Sequence, residues 1–158
     1  MMSITRLAQD DRGASIIELA LVAPILASLL IGMVDLSRAY SHKLLLEQAT
    51  QRSIEKVQQY QASSSTPVLL KAETVAAAQA AGFASTTDAD VTVDFWLECD
   101  GVRAADYNTT CPNGQNYGRW VSVDLRGTFS PMFRSRLWPG ANTDGTFTLH
   151  GQSGMRTQ

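Results

Sequence analysis

A single carboxylate, Glu18, interrupts the apolar run RGASIIELALVAPILASLLIG from Arg12 to Gly32. A charge inside a membrane-length apolar segment costs about 2.5–3.5 kcal/mol on insertion scales, so such residues normally have a dedicated partner. Glu18 therefore calls for a cation. A cut between Gly13 and Ala14 would supply one as the α-ammonium of Ala14, because in a helix the residue four positions on lies one turn above on the same face. The carboxylate would also lie near the positive end of the helix macrodipole, which is worth about 0.3–1 kcal/mol. The ammonium of a neighbouring copy would serve equally.

The other residues able to do chemistry are few. Cys99 and Cys111 form an isolated pair at close spacing, which most simply makes one disulfide and so places the C-terminal part in an oxidising compartment. Metal ligation is the alternative, but the only histidines, His42 and His150, are far away in sequence, and a zinc site wants four ligands. Asn108-Thr109-Thr110 matches a glycosylation sequon and reads as loop composition, and Asp100 and Asp106 lack the regular spacing of a calcium loop. No nucleophile elbow, phosphate-cradling glycine loop or zinc-protease motif is present, so neither an enzyme nor a cofactor is expected. A net charge of −2 and a pI near 5.6, with no basic stripe carrying interleaved aromatics, argue against a nucleic-acid partner.

The elements that must position these residues begin with the apolar run itself. From Leu19 to Val34 there is no charge, and the stretch back to Ala14 spans about 30 Å as a helix, the thickness of a bilayer hydrocarbon core. A cleavable secretory signal fits poorly, since the run is too long for an h-region and its nearest small-residue exit, Ser37-Arg38-Ala39, holds an arginine. A plain single-pass anchor accommodates Pro24 and Gly32 but leaves Glu18 unexplained. Arginines flank both ends, Arg6 and Arg12 before and Arg38 after, so the positive-inside count favours neither orientation.

Beyond the run, Leu36, Tyr40, Leu44, Ala49, Ile54 and Val57 continue a stripe without a breaker, predicting one helix over about 14–60. Gln61 to Pro67 reads as a polar linker. Val68 to Ala81 reads as a short helix with Thr66 as N-cap, Pro67 in its first turn and Gly82-Phe83 as its stop. Val91, Val93, Phe95 and Leu97 alternate with polar residues at period two, Val121, Val123 and Leu125 repeat the pattern, and Phe147 and Leu149 give a weaker third strand. The expected class is α+β: a long N-terminal transmembrane and stalk helix, then a small domain with a short helix and an antiparallel sheet of three or more strands. Asp100–Asn116 is expected to be a disulfide-tied loop and Ser130–Gly140 another. Trp96 and Trp120 fall in phase on the polar side of their strands. They are either contact aromatics for a partner or, the favoured reading, a cross-strand pair or a layer covered by Pro131–Gly140. Trp138 reads as a loop anchor.

Gly13 followed by Ala14-Ser15-Ile16-Ile17-Glu18 resembles the prepilin-peptidase site of type IV pilin-like proteins. More narrowly, residues 12 to 50 resemble the start of the TadE-like minor pilins, or pseudopilins, of the tight adherence (Flp) pilus system. The resemblance rests on the RGA opening, Glu18, Pro24, the Gly32-to-Asp35 step and the Arg38-Ala39-Tyr40 exit, and Leu19 after the glutamate is commoner in minor members than in major pilins. It implies a type IV pilin-like lollipop with a leader over 1–13, a transmembrane helix over 14–34, its stalk continuation over 35–60, a linker over 61–67 and an extracytoplasmic head over 68–158. It further implies processing at Gly13 and Ala14 by a prepilin peptidase, and association with pilin and pseudopilin subunits, an inner-membrane assembly platform and the lipid bilayer. The implied location is the bacterial inner membrane in a single pass, with the head periplasmic or in an extracellular pilus. The competing expectation is an unprocessed, membrane-anchored adaptor or binding protein.

Overall fold

The computed structural model describes residues 12–57, 66–134, 136 and 138–157. Most of the expected leader and linker, together with the end of the expected stalk at 58–60, lies outside these residues. The elements run α1 (Arg12–Val57), α2 (Thr66–Ala80), a 3-10 turn (Asp88–Asp90), β1 (Val91–Cys99), β2 (Val102–Arg103), β3 (Tyr117–Phe129) and β4 (Phe147–Arg156). This is the α+β layout expected of a helical run followed by a strand run. The chain divides into two units, Met1–Arg38 and Ala39–Gln158, and α1 contributes to both.

In the first unit α1 is apolar on every side. Ile16, Leu21, Ile25, Leu29 and Met33 are all exposed, and the helix is long and apolar enough to cross a membrane. Pro24 lies within it; its missing N–H forfeits one helical hydrogen bond, a loss that membrane helices tolerate.

The second unit is a four-stranded antiparallel sheet in the order β2-β1-β3-β4, with helices against one face. Alternation puts Val91, Val93, Phe95 and Leu97 of β1 beside Val121, Val123 and Leu125 of β3 on that face. Leu46, Ala49 and Ile54 of α1 and Ala78 of α2 bury against Val91, Val123 and Leu125, while Val57, Leu70 and Val121 form a second cluster. The C-terminal half of α1 is thus part of the core. Two glycines admit it: a Cβ on Gly151 would come within 2.6 Å of the Leu46 carbonyl oxygen, and one on Gly127 within 2.9 Å of Leu46 Cδ1. Buried hydroxyls return to their own helices, Thr50 Oγ1 donating to Glu47 O at 2.8 Å, Ser53 Oγ to Ala49 O at 2.9 Å and Thr74 Oγ1 to Leu70 O at 2.7 Å. Lys56 pairs with Glu73 between α1 and α2.

α2 begins at Thr66, so the residue expected as its cap is its first helical residue. Its stop is the expected one. Gly82 at φ +103° receives a Schellman ending, in which Phe83 N–H donates to Ala78 O at 3.0 Å and Gly82 N–H to Gln79 O at 3.1 Å.

Candidate functional site

Two regions carry the sequence-predicted residues, the start of α1 and the sheet with its disulfide loop. Gly13 and Ala14 lie in the α1 backbone, and the helix continues unbroken to Glu18, so positions 14 and 18 are one turn apart. Glu18 is exposed, and no ion pair engages it among the described residues. The second carboxylate of this segment differs: Asp35 pairs with Arg38 one turn on, at 3.4 Å. Of the two acids between Arg12 and Arg38, Glu18 is the one that no ion pair engages among the described residues.

Cys99 and Cys111 are joined in a disulfide across a sequence separation of 12, with Cα atoms 5.6 Å apart. The bridge closes the loop expected over Asp100–Asn116, but this stretch is more ordered than a plain loop. Asp100 and Gly101, at φ 49° and 81°, make a two-residue turn that returns the chain as β2, pairing Glu98 with Arg103 and Cys99 with Val102. Asp-Gly flanked by strand-forming residues is the strongest short hairpin signal, and it was available in the sequence. The far end of the loop is tied back by Asp100 N–H donating to Asn116 O at 2.8 Å and Asn116 N–H to Asp100 Oδ1 at 3.0 Å.

Trp96 and Trp120 are brought together. They face each other in the β1–β3 register, with ring centroids 6.1 Å apart and planes within 8° of parallel. Trp96 Nε1–H donates to Glu98 Oε1 at 2.9 Å, and the Arg103 guanidinium carbon lies 5.1 Å from the Trp96 ring centroid. Arg103 Nη2 also donates to both Asp94 oxygens, at 2.8 and 3.0 Å. On the other side Trp120 is in register with Arg156 of β4, whose Nη2 donates to Tyr117 O at 2.7 Å. The outer face of the sheet thus carries a row of Arg103, Trp96, Trp120 and Arg156, one from each strand. Asp124 on the same face accepts from His150 Nδ1 at 3.1 Å and from Gln152. Arg103, Asp94, Trp96 and Glu98 brace one another across the strands, and Trp120 joins them by ring stacking while its buried Nε1–H has no hydrogen-bond partner among the described residues. Among the described residues of Pro131–Gly140, Met132, Phe133 and Trp138 are exposed; Trp138 is therefore not buried as the anchor expected of it. His42 sits between Phe83 and Phe129, with ring centroids at 5.5 and 5.4 Å. Among the described residues no group of three or more His, Cys, Asp or Glu is placed to hold a metal ion.

Together these features define a class: a candidate single-span membrane protein whose helix enters the core of a small, disulfide-closed α+β domain. Residues 13–54 match the model of the family described as TadE-like protein, in agreement with the resemblance carried by residues 12 to 50, and the match is consistent with a TadE-like protein of the tight adherence pilus system. No curated protein and no solved structure matches the chain.

Proposed function

We infer that this chain is a minor pilin or pseudopilin of a tight adherence pilus, cut after Gly13 by a prepilin peptidase and acting by assembly without catalysing a reaction. The observation that carries this reading is the register of Glu18. It stands five residues after the glycine that opens the family match, on an exposed apolar helix, one turn from the amine that cleavage would create. In this role the helix lies in the inner membrane and packs against other subunits, and Glu18 pairs with the Ala14 ammonium of its own or a neighbouring copy. The disulfide suits a head outside the cytoplasm. A second reading, an unprocessed single-pass adaptor, draws on the start of α1 at Arg12, which makes the Gly13–Ala14 bond helical in the uncut chain.

The deciding experiment is the N-terminal residue and intact mass of the protein from its native membrane, without reductant. A chain starting at Ala14 supports processing, whereas one starting at Met1 or Met2 leaves Glu18 without its cation and selects the adaptor. Enlarging Gly13 is expected to block cleavage, and Glu18→Ala to permit cleavage but impair assembly; normal assembly of the alanine variant would refute the ammonium pairing.

A further inference from the structure

Three residues with a side-chain carbonyl on Cβ stand directly before a glycine, in Asp100-Gly101, Asn113-Gly114 and Asp144-Gly145. In such a step the side-chain carbon lies within reach of the next residue's backbone nitrogen, and glycine, without a Cβ, leaves that nitrogen open to approach. The structure treats the three differently. Asp100 Oδ1 accepts the Asn116 N–H at 3.0 Å. Asp144 Oδ1 accepts the Thr146 hydroxyl at 2.6 Å and the Thr146 N–H at 3.0 Å, which hold its carboxyl below the usual carboxylate range and keep it ionised. An ionised carboxylate has no group to expel. Asn113 is exposed, and among the described residues no hydrogen bond engages its amide.

The backbone around Asn113 is equally open. Gln115 N–H donates to Pro112 O at 3.2 Å and Gly114 has φ +91°, so Asn113 and Gly114 are the central residues of a type II turn. The Gly114 N–H donates to no group among the described residues, and a Cβ built on Gly114 would meet nothing within 4 Å. The turn stands between two fixtures, the Cys99–Cys111 bridge on one side and the clasp of Asn116 with Asp100 on the other. The other asparagines lack this combination. Asn108, Asn116 and Asn142 are followed by Thr109, Tyr117 and Thr143, whose Cβ atoms crowd the attacking nitrogen, and Asn142 Nδ2 is held by Thr146 Oγ1 at 3.0 Å.

We propose that Asn113 is a self-modification site of the folded chain, which deamidates through a cyclic imide with Gly114 and takes water as its only co-reactant. The Gly114 nitrogen bonds to Asn113 Cγ, the Cγ–Nδ2 bond breaks, and the amide leaves as ammonia with the proton that the nitrogen gives up. Water then opens the five-membered ring at one of its two carbonyls. Opening at Cγ yields aspartate. Opening at the main-chain carbonyl yields isoaspartate, whose main chain runs through Cγ and is longer by one carbon. Nothing is oxidised or reduced. Either product adds a carboxylate and takes the net charge from −2 to −3. That carboxylate falls on the wall of a pocket of about 410 Å³ whose lining includes Arg119 and no Asp or Glu, so the reaction gives the pocket its first acidic group.

The test uses the full chain in detergent with its disulfide intact, held for days in mildly alkaline heavy-oxygen water and compared with a fresh sample by peptide mass mapping. Circular dichroism checks that it stays folded. Asn113 is expected to convert ahead of Asn108, Asn116 and Asn142, with aspartate and isoaspartate appearing together and each carrying one heavy oxygen. The intact chain should gain one negative charge, read as a step in isoelectric focusing. Asn113→Gln should lose that step, because the glutamine ring needs one more member and closes more slowly. Another asparagine converting first, aspartate without isoaspartate, or isoaspartate at Asp100 or Asp144 ahead of position 113 would each overturn the proposal. So would a focusing step that survives in Asn113→Gln. Conversion in urea but not in the folded chain would show that the turn forbids the reaction, and would refute it as well.

Discussion

The seat of α1 on the sheet can be tested by adding one methyl group at each of three glycines. At Gly151 the new Cβ would fall within 2.6 Å of both Leu46 Cβ and the Leu46 carbonyl oxygen, so the helix backbone itself must move. At Gly127 it would meet only the tip of the Leu46 side chain, 2.9 Å from Cδ1, which a rotamer adjustment relieves. At Gly154 the nearest atom is Val121 O at 3.3 Å, on the opposite face. Overpacking against a rigid neighbour costs about 1–3 kcal/mol, and glycine-to-alanine replacement returns about 0.4–1 kcal/mol by restricting the unfolded chain. Gly151→Ala is therefore expected to lose about 2 kcal/mol net, which lowers the melting temperature of a unit this size by about 5–10 °C. Gly127→Ala should lose at most about 1 kcal/mol, the cost of an off-rotamer leucine. Gly154→Ala should change stability by less than about 0.5 kcal/mol. Urea unfolding of the full chain in detergent, followed by tryptophan fluorescence, gives the order directly. A Gly151 variant as stable as the parent would mean that α1 does not lie on β4 at Leu46.

The remaining predictions concern the other face and the loops. Trp96→Leu and Trp120→Leu, taken singly and together, should reveal a coupling of about 0.5–1.5 kcal/mol, the usual worth of a well-placed aromatic pair, and additive losses would refute the stacking. Reducing the Cys99–Cys111 bridge, or replacing both cysteines by serine, should cost about 3 kcal/mol for a loop of this length, and an unchanged urea midpoint would show that the bridge constrains nothing. Donation from the Thr146 hydroxyl, then from its N–H, holds the Asp144 carboxyl below the usual carboxylate range. The stability this confers is present above the unfolded-state pKa and is lost as pH falls through the lowered folded value. Thr146→Val should therefore move the Asp144 titration upward in a carboxyl NMR experiment, and an unmoved titration would rule out the hydroxyl as its cause.

The sequence disclosed most where one physical signal dominates. The charge-free stretch from Leu19 to Val34 announces its helix, and the period-two alternation of Val91–Leu97 and Val121–Leu125 assigns inward and outward residues correctly because side-chain parity in a strand is rigid. That same parity put Trp96 and Trp120 on one face, but their direct opposition depends on the register of β1 against β3, which is set by contacts along the whole pair. The β2 hairpin was legible as Asp100-Gly101 and is easily absorbed into the surrounding polar loop. The contact of Leu46 with Gly127 and Gly151 was not legible, since a glycine in a strand signals close approach without naming what approaches. At the candidate site, Glu18 and Gly13 stand out by chemistry alone. The exposure of Met132, Phe133 and Trp138 needed the fold, because an apolar residue in a loop is equally consistent with an anchor into the core.

The core also fixes where the chain can be cut without losing the domain. Leu46, Ala49, Ile54 and Val57 are buried, at 0%, 2%, 6% and 4% exposure, and all four belong to α1. A fragment beginning after the serine-rich stretch, near residue 66, keeps α2 and every strand but strips these four side chains from the sheet. Removing one large buried aliphatic side chain costs about 2–5 kcal/mol, so losing Leu46, Ile54 and Val57 together is comparable to the roughly 5–15 kcal/mol that holds a typical domain together. A fragment beginning at Ala39, where the second unit starts, keeps the core whole and sheds the exposed apolar helix. The 39–158 fragment is accordingly expected to be soluble and to unfold cooperatively, and the 66–158 fragment to show no unfolding transition. Cooperative folding of the shorter fragment would mean that the C-terminal half of α1 is a stem beside the domain and not part of its core.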